Sequence, residues 1–387
     1  MSRAWLLPEH IADVLPNEAR HVEGLRRHLL DIAQARGFEL VIPPLLEHVE
    51  SLLSGTGQAL DLMTFKLVDQ LSGRLLGIRA DTTPQVARID AHLLNREGVS
   101  RLCYCGPVLH ARPSGPQSSR EPLQFGAEIY GYQGLHADLE VQSLAIDALK
   151  EMGATGLVVD LADARVVRGL FAGLPLEAQG LHDLVHALSV KDTSTIRALS
   201  QNFPAEVKSG LLALLELFGG EEVLARAREI LPARPVISQA LDDLKWLASH
   251  LKETFPDLEV GFDLGDMGGY AYYSGARFAI YAPSSRDALA RGGRYDEVGA
   301  VFGRNRPAVG FSLDVKTLTD QLKPMLAGRG IQVRWQAGSA VREAIRALRL
   351  SGEQVIVRFP HEAPHDSHSA CDRELIEVNG QWVVRAL

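Results

Sequence analysis

Three separated segments of this 387-residue chain set polar side chains among apolar neighbours, and their types suit a small nitrogen-bearing ligand. The run IRADTTPQ presents Asp81 and Thr83 where an apolar stretch ends. In SREPLQFGAEIYG, Gln124 and Glu128 stand four apart, so on a strand both point to one face. The run GDMGGYAYYSGARFAIYA, residues 265–282, sets Tyr272 and Tyr273 beyond Gly268 and Gly269. It carries no charged side chain between Asp266 and Arg277. Carboxylates suit an amino group, and a glutamate with a tyrosine hydroxyl suits an imidazole, neutral or cationic. Tyrosines beside bare backbone suggest a pocket, and such a pocket normally carries a charge for the ligand's ionic end.

The elements around these segments follow from spacing. A helix is predicted from about Asn17, as N-cap, to about Arg36. Val22, Leu25, Leu29, Ile32 and Ala33 form its apolar stripe, and Gly37 suits the position past its end. FELVI reads as a strand and LLEHVESLL, after Pro44, as a helix. MTFKLVDQ and RLLGIRA read as a hairpin, and a helix begins at Pro84. RLCYC and LQFGAEIYGY, joined by a long polar loop, read as a ligand-facing hairpin. A helix over 137–152 and the strand GLVVDL follow.

From about 162 to 254, Leu, Ala and Glu dominate at helical spacing, which predicts a helical insertion. Strands return at LEVGFDLG, YAYYSG, ARFAIYA and PAVGFSL. These elements predict an α+β fold over 1–318: one mostly antiparallel sheet flanked by helices and interrupted by the insertion. Residues 319–387 read as a separate small α/β domain, with Asn379-Gly380 at the turn of its last hairpin.

Composition excludes several classes. A net charge of −8 and a pI near 5.9 offer no global basic field, which argues against a nucleic-acid partner such as tRNA. Three cysteines, odd in number and sparse, point to a reducing compartment rather than a disulfide framework. No apolar run approaches the ~20 residues that span a bilayer. A cytoplasmic chain without a membrane partner is expected.

Other patterns fail on their own chemistry. HEAPH, residues 361–365, matches a zinc-protease motif by letter, but that chemistry needs both histidines on one helical face. Pro360 and Pro364 bracket the segment and break a helix, so it reads as a polar loop. His368 and Cys371 could add ligands, yet no metal site is expected. Cys103 and Cys105 alternate on a strand and read as core packing. Arg304 and Arg306, in GRNRPAVG, could bind an anion or sit on a solvated loop.

Five ordered segments together resemble histidyl-tRNA synthetase, a class II aminoacyl-tRNA synthetase built on an antiparallel sheet. ARGFELVIPPLLEHVESL is similar to its first motif and YCGPVLHARPSGPQSSREPLQFGAEIYG to its second. GGYAYYSG stands where that family has R-G-L-D-Y-Y, GGRYDEV matches G-G-R-Y-D-x-L, and PAVGFSLDVKTL matches the third motif. The resemblance covers residues 5–318 and implies that Asp81, Thr83, Gln124, Glu128, Tyr272 and Tyr273 occupy histidine-binding positions.

The departures from that family all concern cations. The second motif's arginine falls at His110, the arginine peculiar to the histidine enzyme at Gly268, and the third motif's at Thr317. Lys316 and Arg112 neighbour lost positions but point elsewhere. Losing one fixed charge at a reacting phosphate commonly costs about 100- to 1000-fold in rate, so losing three should end amino-acid activation. A class II fold with a histidine pocket and no ATP machinery resembles the regulatory subunits of ATP phosphoribosyltransferase.

That second resemblance implies a non-catalytic chain in histidine biosynthesis, with no catalytic residue and no cofactor of its own. Mg²⁺ would belong to a partner, the short-form catalytic subunit. It also implies dimeric self-association, hetero-oligomers with that partner and L-histidine as feedback effector, bound in this pocket or at the interface between the two subunits. Arg120 is the sequence candidate for the effector's carboxylate. The rival reading is an active ATP-dependent ligase of the synthetase type, which would exchange pyrophosphate into ATP when histidine is present.

Overall fold

Side-chain alternation on two paired strands decides which residues of this chain meet. The structure is a computed structural model that describes residues 6–53, 58–113, 115, 118–283, 285, 287–322, 330–361 and 371–387. In its first part lie β1 (Glu39–Leu40), β2 (Leu46–His48), β3 (Phe65–Val68), β4 (Leu75–Ile78), β5 (Ser100–Pro107) and β6 (Leu123–Tyr130). β7 (Val158–Asp163), β8 (Phe218–Gly219), β9 (Glu259–Asp263), β10 (Ala276–Tyr281), β11 (Ala290–Arg294) and β12 (Ala308–Asp314) follow. Among the described residues the main sheet has nine strands in the order β1-β5-β6-β12-β11-β10-β7-β9-β8. Only β1–β5 and β7–β9 run parallel, so the mostly antiparallel, helix-flanked α+β expectation holds.

Odd-numbered residues of β5 and β6 face the helices. Cys103, Phe125, Ala127 and Ile129 join a core with Val22, Leu25, Leu29 and Ile32 of the helix Pro16–Ala35 and Val141, Leu144 and Leu149 of the helix Leu135–Glu151. Each such Leu or Ile contributes about 1.5–3 kcal/mol on full burial. The even-numbered Leu102, Tyr104, Glu128 and Tyr130 are forced to the opposite face, where Tyr272, Tyr273 and Tyr295 gather. The cysteine reading is therefore right for a specific reason: the two thiols mark the core side of β5, with Cys105 packed against the edge of that core.

Several local expectations give way to pairing. LLEHVESLL was expected to be helical, but Leu46–His48 pairs with β4 in a three-stranded sheet ordered β2-β4-β3, and only Val49–Leu52 is helical. Asn17 does not cap the first helix; Pro16 occupies its first turn, where a missing N–H loses nothing. YAYYSG is a turn, not a strand: the N–H groups of Tyr272 and Tyr273 both donate to the Gly269 carbonyl, at 2.8 and 2.9 Å. β11 gives no strand signal in the sequence, because ARGGR carries none of the bulky residues that announce a strand.

The insertion runs from the helix Ala164–Phe171 to the helix Pro235–Thr254, and its apolar faces join the main core. By contacts the chain divides into units Met1–Lys323 and Pro324–Leu387. The second holds β13 (Gly330–Arg334), the helix Ser339–Leu350, β14 (Val355–Arg358), β15 (Cys371–Val378) and β16 (Gln381–Ala386), in the sheet order β14-β13-β15-β16. β15 and β16 meet at Asn379 and Gly380, whose φ values of +52° and +80° suit the expected tight turn. Of the HEAPH segment only His361 is described; the rest, with His368, lies outside the described residues. Among the described residues no group of three His, Cys, Asp or Glu could hold a metal, and no helix is long and apolar enough to cross a membrane.

Candidate functional site

On the even-numbered face a cavity of about 380 Å³ opens, and five of the six predicted ligand residues line it: Asp81, Thr83, Glu128, Tyr272 and Tyr273. They arrive from three places, the turn after β4, strand β6 and the turn before β10. The sixth, Gln124, braces Asp81 from the side. Its Nε2 donates to Asp81 Oδ1 at 2.8 Å, and its Oε1 accepts the Thr82 N–H at 2.9 Å. The same Asp81 oxygen accepts the Thr83 N–H and hydroxyl, both at 3.1 Å. Among the described residues Asp81 Oδ2 accepts nothing, so one carboxylate oxygen is held and the other is free for a donor.

Glu128 is 1% exposed and sits within a ring of phenols. Tyr104 donates to its Oε1 at 3.1 Å and Tyr295 to its Oε2 at 2.5 Å, while Tyr130 lies 3.3 Å from the Tyr295 hydroxyl. Burial pushes the Glu128 carboxyl up to about 8, against the pull of the Tyr295 and Tyr104 hydroxyls and with Asp81 adding to the rise. The Tyr272 ring stacks on Tyr295, centroids 5.0 Å apart, and meets Tyr273 edge-on at 5.3 Å. The Tyr272 hydroxyl is buried and has no hydrogen-bond partner among the described residues. A buried polar atom of that kind carries a desolvation penalty of about 1–3 kcal/mol, which a ligand group would relieve.

Glycines make room for this ring. A Cβ at Gly126 would stand 2.3 Å from the Tyr104 ring and hydroxyl. One at Gly310, which faces Glu128 across β12 and β6, would stand 1.4 Å from Glu128 Oε2.

Sequence reading missed Tyr104, Tyr295 and two arginines. Tyr104 was legible between two core-facing cysteines, because alternation sends it to the other face. Tyr295 lies in GGRYDEV, whose Arg294 is a structural clamp buried on Asp138 and on the Tyr132 and Gly134 carbonyls, at 3.2 Å each. Arg277 on β10 and Arg291 on β11 both line the cavity. The residues that bound the uncharged stretch pair with each other: Arg277 Nη2 binds the Asp266 carboxylate and Nη1 the Asp266 carbonyl, the latter at 3.1 Å.

Arg120 is not among the cavity-lining residues. Its Nε donates to the His110 carbonyl at 2.9 Å and its guanidinium lies over the Phe65 ring at 5.0 Å. Nor do Arg304 and Arg306 form an anion site. Arg304 binds Asn95 Oδ1 at 2.8 Å, and Arg306 is buried on Asp90 at 3.0 and 3.1 Å.

Two positions of the missing arginines hold little charge of their own, while the third, Gly268, lies against the Arg277 guanidinium. His110 is half-buried, with Nε2 3.0 Å from the Ala80 carbonyl, and burial lowers its affinity for a proton. Thr317 bonds Asp314 at 2.7 Å, and Lys316 is held by Glu121 at 2.7 and 3.2 Å.

Comparison with known proteins identifies the family and the fold. A family profile described as Histidyl-tRNA synthetase matches residues 10–318, and one described as ATP phosphoribosyltransferase subunit HisZ C-terminal domain matches residues 328–385. A Variovorax paradoxus protein named ATP phosphoribosyltransferase regulatory subunit is 60% identical over 385 residues, 99% of this chain and 100% of that protein. A Bacillus halodurans chain described as an ATP phosphoribosyltransferase regulatory subunit/histidyl-tRNA synthetase superposes with a TM-score of 0.81 at 27% identity, covering 95% of this chain and 96% of its own. A chain from the ATP phosphoribosyl transferase (HisG:HisZ) complex of Thermotoga maritima shares the fold, with a TM-score of 0.59 at 22% identity, covering 76% of this chain and 97% of its own.

Proposed function

This chain belongs to the family of ATP phosphoribosyltransferase regulatory subunits, and from that membership we propose that its cavity senses free L-histidine and catalyses nothing. The observation that carries the reading is the unpartnered Tyr272 hydroxyl in the same cavity as a buried Glu128 and the open oxygen of Asp81. An imidazole N–H can donate to Glu128, an α-ammonium to Asp81 Oδ2, and the Tyr272 hydroxyl can meet a remaining ligand polar atom. His110 and Thr317 leave two ATP-facing positions of the resembling synthetase without a fixed cation, which supports binding without activation.

The partner is a short-form catalytic subunit, which carries the chemistry on ATP and phosphoribosyl pyrophosphate. This chain is required for the partner's activity and transmits inhibition by histidine. A ligand shifts such an equilibrium only as far as it prefers one state, so histidine must bind the inhibited assembly more tightly.

The test is to mix the full chain with a short-form catalytic subunit, follow product formation, and titrate histidine. Activity that appears only in the mixture and falls with histidine is expected. Glu128→Ala should move the inhibition curve to at least tenfold higher histidine. An unchanged curve removes histidine from this cavity, and pyrophosphate exchange into ATP by the chain alone overturns the regulatory reading in favour of a ligase.

A further inference from the structure

The cavity is acidic at Asp81 and Glu128, yet Arg277 lines it too, on the strand that follows the tyrosine turn. Only 8% of the Arg277 side chain is exposed, and its guanidinium carbon sits 5.8 Å from the Tyr273 ring centroid. A Cβ added at Gly268 would stand 3.1 Å from Arg277 Nη2. The guanidinium therefore lies against the backbone position where the resembling synthetase carries an arginine. A cation lost from one position of the sequence has returned in space from a neighbouring strand, and the missing side chain at 268 leaves it room.

We infer that Arg277 is the anion-receiving group of this cavity, and that a ligand carboxylate takes it over from Asp266. Three features favour the exchange. The guanidinium is nearly buried, where a charge-assisted hydrogen bond is strongest. Its present partner is a carboxylate, the same chemical group the ligand would offer. The Asp266 side chain is 34% exposed, so on release its charge can return to water at little cost. Arg291 lines the cavity as well, but it is 48% exposed and pairs with Asp287 at the rim of the same hairpin. It is the weaker candidate because water screens it.

The inference rests on the reading of the cavity as a histidine site, and the experiment separates the two. Calorimetric titration of the full chain uses L-histidine and histamine, which share the imidazole and amine and differ in the carboxylate. Wild type should bind histidine at least tenfold more tightly than histamine. Arg277→Gln should bring that ratio to within about twofold of one while histamine affinity holds. Asp266→Asn, which leaves the arginine in place and keeps an oxygen to accept the Gly268 N–H at 2.8 Å, should tighten histidine severalfold and leave histamine unmoved. Should Arg277→Gln fail to fold, Arg277→Lys and Asp266→Asn decide the matter.

A ratio unchanged in Arg277→Gln overturns the inference, and a ratio lost in Arg291→Gln instead transfers the role to Arg291. If wild type binds neither ligand, the histidine reading falls and the inference falls with it. If both bind with Glu128-dependent affinity but Asp266→Asn weakens histidine, the exchange is wrong while the histidine reading stands.

Discussion

Gly310 and Glu128 face each other across strands β12 and β6, at so short a range that a single methyl group at 310 would overlap Glu128 Oε2, 1.4 Å away. The buried carboxyl group thus depends on a hydrogen atom on the adjacent strand. Gly310→Ala should push Glu128 out of its phenol ring, costing about 1–3 kcal/mol of stability and weakening histidine at least tenfold. Adding Glu128→Ala should restore only part of the stability, because the Ala127 carbonyl still stands 2.8 Å from the added methyl, and none of the binding. Denaturant melts of the single and double variants read this non-additivity directly, and additive losses would contradict the geometry.

Protonation of Glu128 gives stability a definite slope. The folded carboxyl titrates near 8 and its ordinary value is 4.5, so between these the folded state holds a proton that the unfolded state has released. Its contribution is therefore complete below 4.5 and is lost as pH rises through 8, by at most about 1.4 kcal/mol per pH unit. Glu128→Gln, which stays neutral, should flatten that part of the profile. Melting curves for both proteins at pH 5, 6, 7 and 8 check the sign; parallel profiles would refute it.

Tyr272→Phe should move stability and binding in opposite directions. The hydroxyl lacks a partner while its ring stacks on Tyr295 at 5.0 Å. Its removal should leave the free protein unchanged or more stable by about 1 kcal/mol. Histidine affinity should fall several-fold. A variant that loses stability would mean that the hydroxyl is already satisfied in the free chain.

Arg306→Ala should destabilise the chain by about 3–5 kcal/mol, because it strands the buried Asp90 carboxylate. Asp90→Asn should leave the guanidinium without its counter-charge and cost a similar amount. Neither should alter the histidine-to-histamine ratio, since the pair belongs to the fold. Thermal melts alongside ligand titrations separate the two effects.

Much of the fold was legible in local spacing. The stripe of Val22, Leu25, Leu29 and Ile32, the insertion and the Asn379-Gly380 turn all depend on interactions within a few residues of sequence. Leu46–His48 was not legible, since its partner lies on β4 and a long-range pairing outweighs a weak helical preference. β11 hid for a similar reason: two of its five residues are glycines, and its strand character comes from β10 and β12 on either side.

The residue types of the site belonged to the sequence. Asp81, Thr83, Glu128, Tyr272 and Tyr273 stood out as polar groups among apolar neighbours and as matches to the resembling synthetase's motifs, and the fold brings them to one cavity. Which cation stands beside them was decided only by the tertiary structure. Arg120 lies closer in sequence to Glu128, but its guanidinium is held over Phe65; Arg277 reaches the cavity because strand pairing carries β10 beside it. A side chain's partner depends on distance through space, and only the folded sheet sets that distance.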